Sequence, residues 1–166
     1  MINAPWFSTP ARRSQLATEA EGWLRTPFCL HAQAIGAGVD CVHLVHALAT
    51  ATGWPHELVP PIYGAQDTMH ADESKLHAYL DAAAGIELVG DFAPMLPAAM
   101  TGDLVSFTIG RAAHHLGMIV GGRRFVHVMS NHFVGYASLD DGTWSRRASR
   151  IYRLTDITQP APLPKS

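Results

Sequence analysis

The chain has 166 residues, 48% of them apolar and 16% charged, with a net charge of −2 when histidine is neutral. That is enough for one domain with a real core. Lys and Arg are scattered, with none of the basic striping that a phosphate backbone demands, which argues against nucleic acid as a partner; no run approaches the length of a transmembrane span.

In chain order, residues 1–10 lack the basic start and long apolar stretch of a signal peptide. Cytoplasmic synthesis is therefore expected, with release by lysis or delivery as part of a larger particle left open. Thr9 or Ser8 can cap a first helix over about residues 10–25, with Leu16, Ala20, Trp23 and Leu24 on one stripe, and Thr26-Pro27 stops it. Residues 28–39 read as a glycine-bearing loop. A second helix is expected over about 41–52, capped by Asp40, ended by Gly53 and presenting Val42, Val45, Leu48 and Ala49 to a core. Residues 54–66 are proline-rich and irregular, long enough to serve as a lid. A third helix is expected over about 67–84, ended by Gly85.

The pattern then changes to short strands near 86–89, 104–108, 116–120, 124–129, 134–138 and 149–154, with Gly121-Gly122 as a hairpin signal. Helices followed by an antiparallel sheet give an α+β domain over residues 1–158, with a Pro-rich tail over 159–166. In that arrangement the helix bearing Cys41 packs against the sheet bearing the histidines.

Two features point to chemistry. Cys41 falls in the first turn of a helix, where unpaired N–H groups and the helix dipole favour negative charge, so its pKa is expected to fall. His115 and His127 each sit on an expected strand, and one Cys with two distant His residues suits a nucleophile, base and orienter. Cys29 has no such surroundings and reads as an idle thiol, although a single bridge to Cys41 is possible. His114 should point to the opposite sheet face from His115. Asp103 reads as a turn residue, and Trp144 as core or rim packing. His43 and His46, three apart on a helix, raise zinc, but their spacing matches no zinc signature, and no metal or other cofactor is called for.

The ordered blocks Gly22-Trp23-Leu24-Arg25-Thr26-Pro27-Phe28, Gly38-Val39-Asp40-Cys41, Gly102-Asp103-Leu104-Val105-Ser106-Phe107, His115-Leu116-Gly117-Met118-Ile119-Val120-Gly121 and Arg124-Phe125-Val126-His127 resemble the NlpC/P60 family of papain-like cysteine peptidases. The resemblance runs from about residue 12 to 154. Residues 139–144 and 150–153 resemble the subgroup found with phage tail genes and gene transfer agents.

The resemblance implies a hydrolase cutting amide bonds in peptidoglycan stem peptides, often next to D-glutamate or diaminopimelate, through a thioester acyl-enzyme. It implies Cys41 as nucleophile, His115 as general base and His127 as orienter, with Asp40 available to meet a substrate amine. Possible partners are the peptidoglycan peptide and a phage-tail-like assembly. The family usually reads Asp-Cys-Ser-Gly where this chain has Asp40-Cys41-Val42-His43, and Tyr where it has Phe28. Phe28, Val42 and His43 therefore alter the expected substrate lining. That alteration motivates two alternatives: an acyltransferase or amidase acting on another small substrate with the same triad, and a non-catalytic structural component of a phage-like tail.

Overall fold

The computed structural model describes residues 3–58 and 74–156. The proposed tail over 159–166 and most of the proposed lid over 54–66 lie outside them.

Helix α1 (Pro10–Trp23) starts where Thr9 accepts a hydrogen bond from the Arg12 N–H, with Pro at the first helical position, and it buries Leu16, Ala20 and Trp23. Helix α2 (Cys41–Ala51) starts at Asp40, whose side chain accepts from the His43 N–H. It is apolar over most of its circumference, burying Val42, Leu44, Val45, Ala47, Leu48 and Ala49. Each fully buried Leu there contributes about 1.5–3 kcal/mol relative to exposure, which fixes the helix's position against its neighbours. Gly53, at φ +91°, turns the chain away.

Helix α3 (Lys75–Ala82) is capped by Ser74, which accepts from the His77 N–H, so the helix expected over 67–84 does not run unbroken through position 74. The first part of that expectation lies outside the described residues. Two four-residue helices, α4 (Phe92–Met95) and α5 (Gly142–Ser145), were not expected, because one turn carries no period to read.

The strands are β1 (Ala4–Pro5), β2 (Gln33–Ala34), β3 (Gly38–Val39), β4 (Ile86–Asp91), β5 (Leu104–Ile109), β6 (Ala112–Gly121), β7 (Arg124–His127), β8 (Gly135–Ser138) and β9 (Ala148–Asp156). Seven form one antiparallel sheet in the order β1-β9-β5-β6-β7-β8, with β4 also paired to β9, while β2 and β3 form a separate small hairpin. The α+β class is as expected. Strand β6 is longer than expected, and the turn into β7 is Gly122-Arg123, one residue later than the Gly-Gly signal suggested.

The sheet separates two apolar layers. Leu104, Leu116, Met118, Val120, Val126, Tyr152 and Leu154 join the buried residues of α1, α2 and α3 on one face. Val105, Phe107, Ile119, Phe125 and Ile151 join Phe92 and Leu139 on the other. The alternation along β5 and β6 follows the pleat until a bulge, where Phe107 pairs with His115 but Thr108 pairs with Ala113. His114 is the extra residue.

Asp103 does more than turn the chain. It is 1% exposed, accepts the Met100 N–H, and holds Arg153 of β9 through two hydrogen bonds of 2.9 and 2.8 Å. Removing the guanidinium leaves a buried carboxylate short of its counter-charge, so Arg153→Ala is expected to lower stability by about 3 kcal/mol in denaturant unfolding. A loss below about 1 kcal/mol would place the pair among weak surface bridges.

Candidate active site

The first turn of α2 forms because Asp40 satisfies its end. One carboxylate oxygen accepts the His43 N–H at 2.8 Å and the other accepts the His31 N–H at 2.8 Å. His31 reaches it from a left-handed backbone at φ +65°, a conformation uncommon for a residue with a Cβ. Cys41 follows as the first helical residue and is half-buried. Its thiol is met by backbone N–H groups of Leu116, Val42 and Cys41 itself.

Those donors favour thiolate, as the helix-end argument anticipated, but they do not win. Burial pushes the thiol up to about 12, and the negative charge of Asp40 adds to the effect. The expected fall in pKa is thus reversed: at neutral pH Cys41 is a thiol.

His115 and His127 come from the adjacent strands β6 and β7. Their rings meet at 2.9 Å, Nε2 of His115 to Nδ1 of His127, so a single proton sits between the two nitrogens. His115 is 5% exposed. The pair is enclosed by aromatic rings: Phe107 lies 5.6 Å from His115, Phe125 lies 4.9 Å from His127, and Trp144 lies 5.7 Å from His115 and 4.7 Å from His127. Beneath them Gly117 leaves room for this packing, since a Cβ there would come within 2.7 Å of the Phe125 ring. Burial drives the pKa of both histidines well below the ordinary value, with mutual repulsion adding for His115 and His132 adding for His127. Both are neutral at pH 7.

The thiol and the imidazoles approach from different sides. Cys41 packs with the helical layer, whereas the two rings sit in the aromatic layer across the sheet. The link between them is Leu116, which follows His115 in β6. Pairing of β6 with β7 starts at Met118↔Val126, so the Leu116 backbone lies beyond it, and its N–H meets the sulfur one residue from His115.

The remaining sequence candidates divide. Phe28 is half-buried against the helical layer, its N–H donating to the His132 carbonyl at 3.0 Å. Val42, expected in the substrate lining, is 2% exposed in the core, and what it brings to the thiol is its N–H. His43 is half-buried and donates from Nδ1 to Asp40 at 2.8 Å. His46 bonds Gln33 through Nδ1 at 3.0 Å. Cys29 and Cys41 are both free, and Cys29 is exposed. His114 is half-buried, and its Nε2 is enclosed without a hydrogen-bond partner among the described residues. Trp144 packs over the histidines, a place that follows from Asp141, whose carboxylate accepts the Thr143 N–H and starts α5. His31 had no sequence signal, because its part is played by its backbone.

A family model described as "NlpC/P60 family" matches residues 59–153. The chain belongs to the NlpC/P60 family. The NlpC/P60 match begins downstream of Cys41 and takes in both His115 and His127. An Escherichia coli (strain K12) protein named murein DD-endopeptidase MepS/murein LD-carboxypeptidase is 33% identical over 54 residues, which is 32% of this chain and 29% of that protein. Among solved structures, an NLP/P60-family lipoprotein-like protein from Staphylococcus aureus has a TM-score of 0.62 at 18% identity, over 93% of this chain and 45% of that one. The NlpC/p60 domain of the peptidoglycan hydrolase SagA has a TM-score of 0.54 at 13% identity, over 86% of this chain and 97% of that domain. These structures share the NlpC/P60 fold. This chain spans under a third of the E. coli relative's length and under half of the staphylococcal chain's.

The buried imidazoles tie stability to pH. Neutral in the fold, His115 and His127 pick up protons on unfolding below about 6.5, so their contribution is complete above that pH and lost as pH falls toward their folded values. His46, His77 and His114 act in the same direction. Thermal melts are expected to fall steadily below about pH 6.5, and less steeply in His115→Gln. Trp144→Ala, which uncovers the pair, is expected to raise the His127 pKa toward its ordinary value in NMR titrations; equal titration in both proteins would deny the indole that role.

Proposed function

We propose that this chain is a cysteine hydrolase that cleaves amide bonds in peptidoglycan stem peptides, with Cys41 as nucleophile, His115 as general base and then acid, and His127 as orienter. The observation that carries this reading is the partly buried 2.9 Å bond between His115 Nε2 and His127 Nδ1, one residue from the backbone N–H that meets the Cys41 sulfur. With Nε2 engaged, Nδ1 is the His115 nitrogen left to serve the thiol. The family membership and the murein-acting name of the E. coli relative support the substrate class.

The resting pair is a thiol and a neutral imidazole, so the thiol proton passes to His115 as sulfur attacks the carbonyl carbon. The carbonyl oxygen becomes an oxyanion, which the Cys41 N–H at the helix start stabilises. His115 then gives its proton to the leaving amine, and a thioester remains. Water, deprotonated by His115, hydrolyses that thioester and restores the thiol. His127 holds the ring of His115 in one orientation through both steps.

Mass spectrometry of muropeptides incubated with the wild type and with Cys41→Ala tests the reading. New fragments are expected with the wild type and none with the variant, while His115→Ala is expected to lower turnover by about 10²–10⁴-fold. Fragments that persist in Cys41→Ala would sink the nucleophile assignment.

A further inference from the structure

Helix α3 is fastened to the sheet at several points. Leu76 and Leu80 are buried in the helical layer. Asp81 accepts the Tyr152 hydroxyl of β9 at 3.1 Å. The His77 Nε2 lies 2.7 Å from the hydroxyl oxygen of Ser106 in β5, which also accepts the Arg150 N–H at 3.1 Å. Ser106 is fully buried, and the pairing of β5 with β9 shifts register just after it. Three residues before His77, Ser74 bonds in two directions. Its oxygen accepts the His77 N–H at 2.9 Å and caps the helix, and its O–H donates to the Ala113 carbonyl at 2.8 Å. Ala113 is the residue before the bulge at His114. A side chain fixed by α3 therefore grips β6 where its register changes.

We propose that Ser74 is a positioning residue for His115: by holding the Ala113 carbonyl it makes His114, and not His115, the extra residue of the bulge. The catalytic consequence rests on the amide-hydrolase reading above, and the structural one does not. Two imidazoles stand next to each other in β6, and the choice between them is local. In the observed register Phe107 pairs with His115, whose ring lies 5.6 Å from Phe107, 5.7 Å from Trp144 and within a 2.9 Å bond of His127. If the bulge moved one position on, Phe107 would pair with His114, while Thr108↔Ala113, Ser106↔Leu116 and every later pair would be kept. His114 would then enter the aromatic layer, and His115 would leave by the other face. An imidazole at either position can be offered to His127, so ring chemistry alone does not choose. The pairing on both sides is the same in the two cases and does not choose either. What differs is the peptide that joins Ala113 to His114. A bulge bends the backbone at the residue it inserts, so moving the bulge turns that peptide and takes its carbonyl away from the Ser74 hydroxyl. The observed register keeps the bond, and the shifted one forfeits it.

The experiment reads histidine and indole ring signals by NMR in the full chain, in wild type, Ser74→Asp and Ser74→Thr. Asp keeps the helix cap, because its carboxylate accepts the His77 N–H, but it has no proton to give the Ala113 carbonyl and repels it. Thr keeps both bonds. Wild type is expected to show one set of His115 signals, with Trp144 in contact with His115 and not with His114. Ser74→Asp is expected to show a second set, in at least about one-tenth of molecules, in which the Trp144 contacts pass to His114. Ser74→Thr is expected to return the single set. A capping role alone predicts that Asp and Ser behave alike, so a Ser74→Asp spectrum with only the wild-type contacts overturns the inference. If Ser74→Asp does not fold cooperatively, Ser74→Ala, which lacks the donor without adding a charge, is read in the same way. Unfolding of both, with Ser74→Thr intact, marks a role in stability only and overturns the inference as well. On muropeptides, the kcat of Ser74→Asp is expected to fall at least in proportion to the exchanged fraction with KM unchanged, and Ser74→Thr to restore it. Absence of cleavage by the wild type would defeat the hydrolase reading, and the ring contacts would still decide this one.

Discussion

Burial sets the chemistry of this molecule. A thiol and two imidazoles are drawn away from water, and burial favours the uncharged form of all three. Three backbone donors around the sulfur and the helix end behind it are not enough to reverse that outcome. On the function proposed above, the proton therefore moves during attack, with burial favouring the neutral form of both partners beforehand. The surroundings follow from the same constraint. Neutral rings can be packed among Phe107, Phe125 and Trp144, and the one hydrogen bond between them satisfies two otherwise buried nitrogens.

The apolar layers on either side of the sheet serve different parts of this arrangement. The helical layer holds α2 against β6 and so delivers the sulfur to Leu116. The aromatic layer holds the imidazoles. Neither layer alone contains the candidate site. What links them is Leu116, whose N–H meets the sulfur and which follows His115 in β6.

Much of this was legible in the sequence. Thr9, Asp40 and Gly53 marked helix limits through capping chemistry and turn geometry that do not depend on distant contacts. The bond between His115 and His127 is the one the family resemblance implies for base and orienter, and the strands expected around both residues, with a hairpin signal at Gly121-Gly122, are present. What was not legible depended on tertiary surroundings. The helix-end rule gave a low thiol pKa, and burial with Asp40 reversed it. The resemblance puts Val42 in the substrate lining and the helical period of Val42, Val45 and Ala49 puts it in the core; its side chain is buried, as the period requires. The bond from the His43 ring to Asp40 could not be read from the two residues alone, since a histidine three positions along a helix has several directions to take. Trp144 lies beyond β8, on a one-turn helix, and nothing in its local sequence ties it to strands β6 and β7.

The bulge at His114 separates two registers within one strand. From His115 onward the pairing with β5 determines which way each side chain faces; before it, the pairs Thr108↔Ala113 and Ile109↔Ala112 follow their own count. An added residue in the connecting turn can therefore be taken up at this joint, leaving the imidazole on its proper side. An unbroken ladder would offer no such tolerance, since there a slip by one position turns every later side chain over. The stretch between residues 109 and 114 is in this sense free to change in length while the chemistry downstream stays in place.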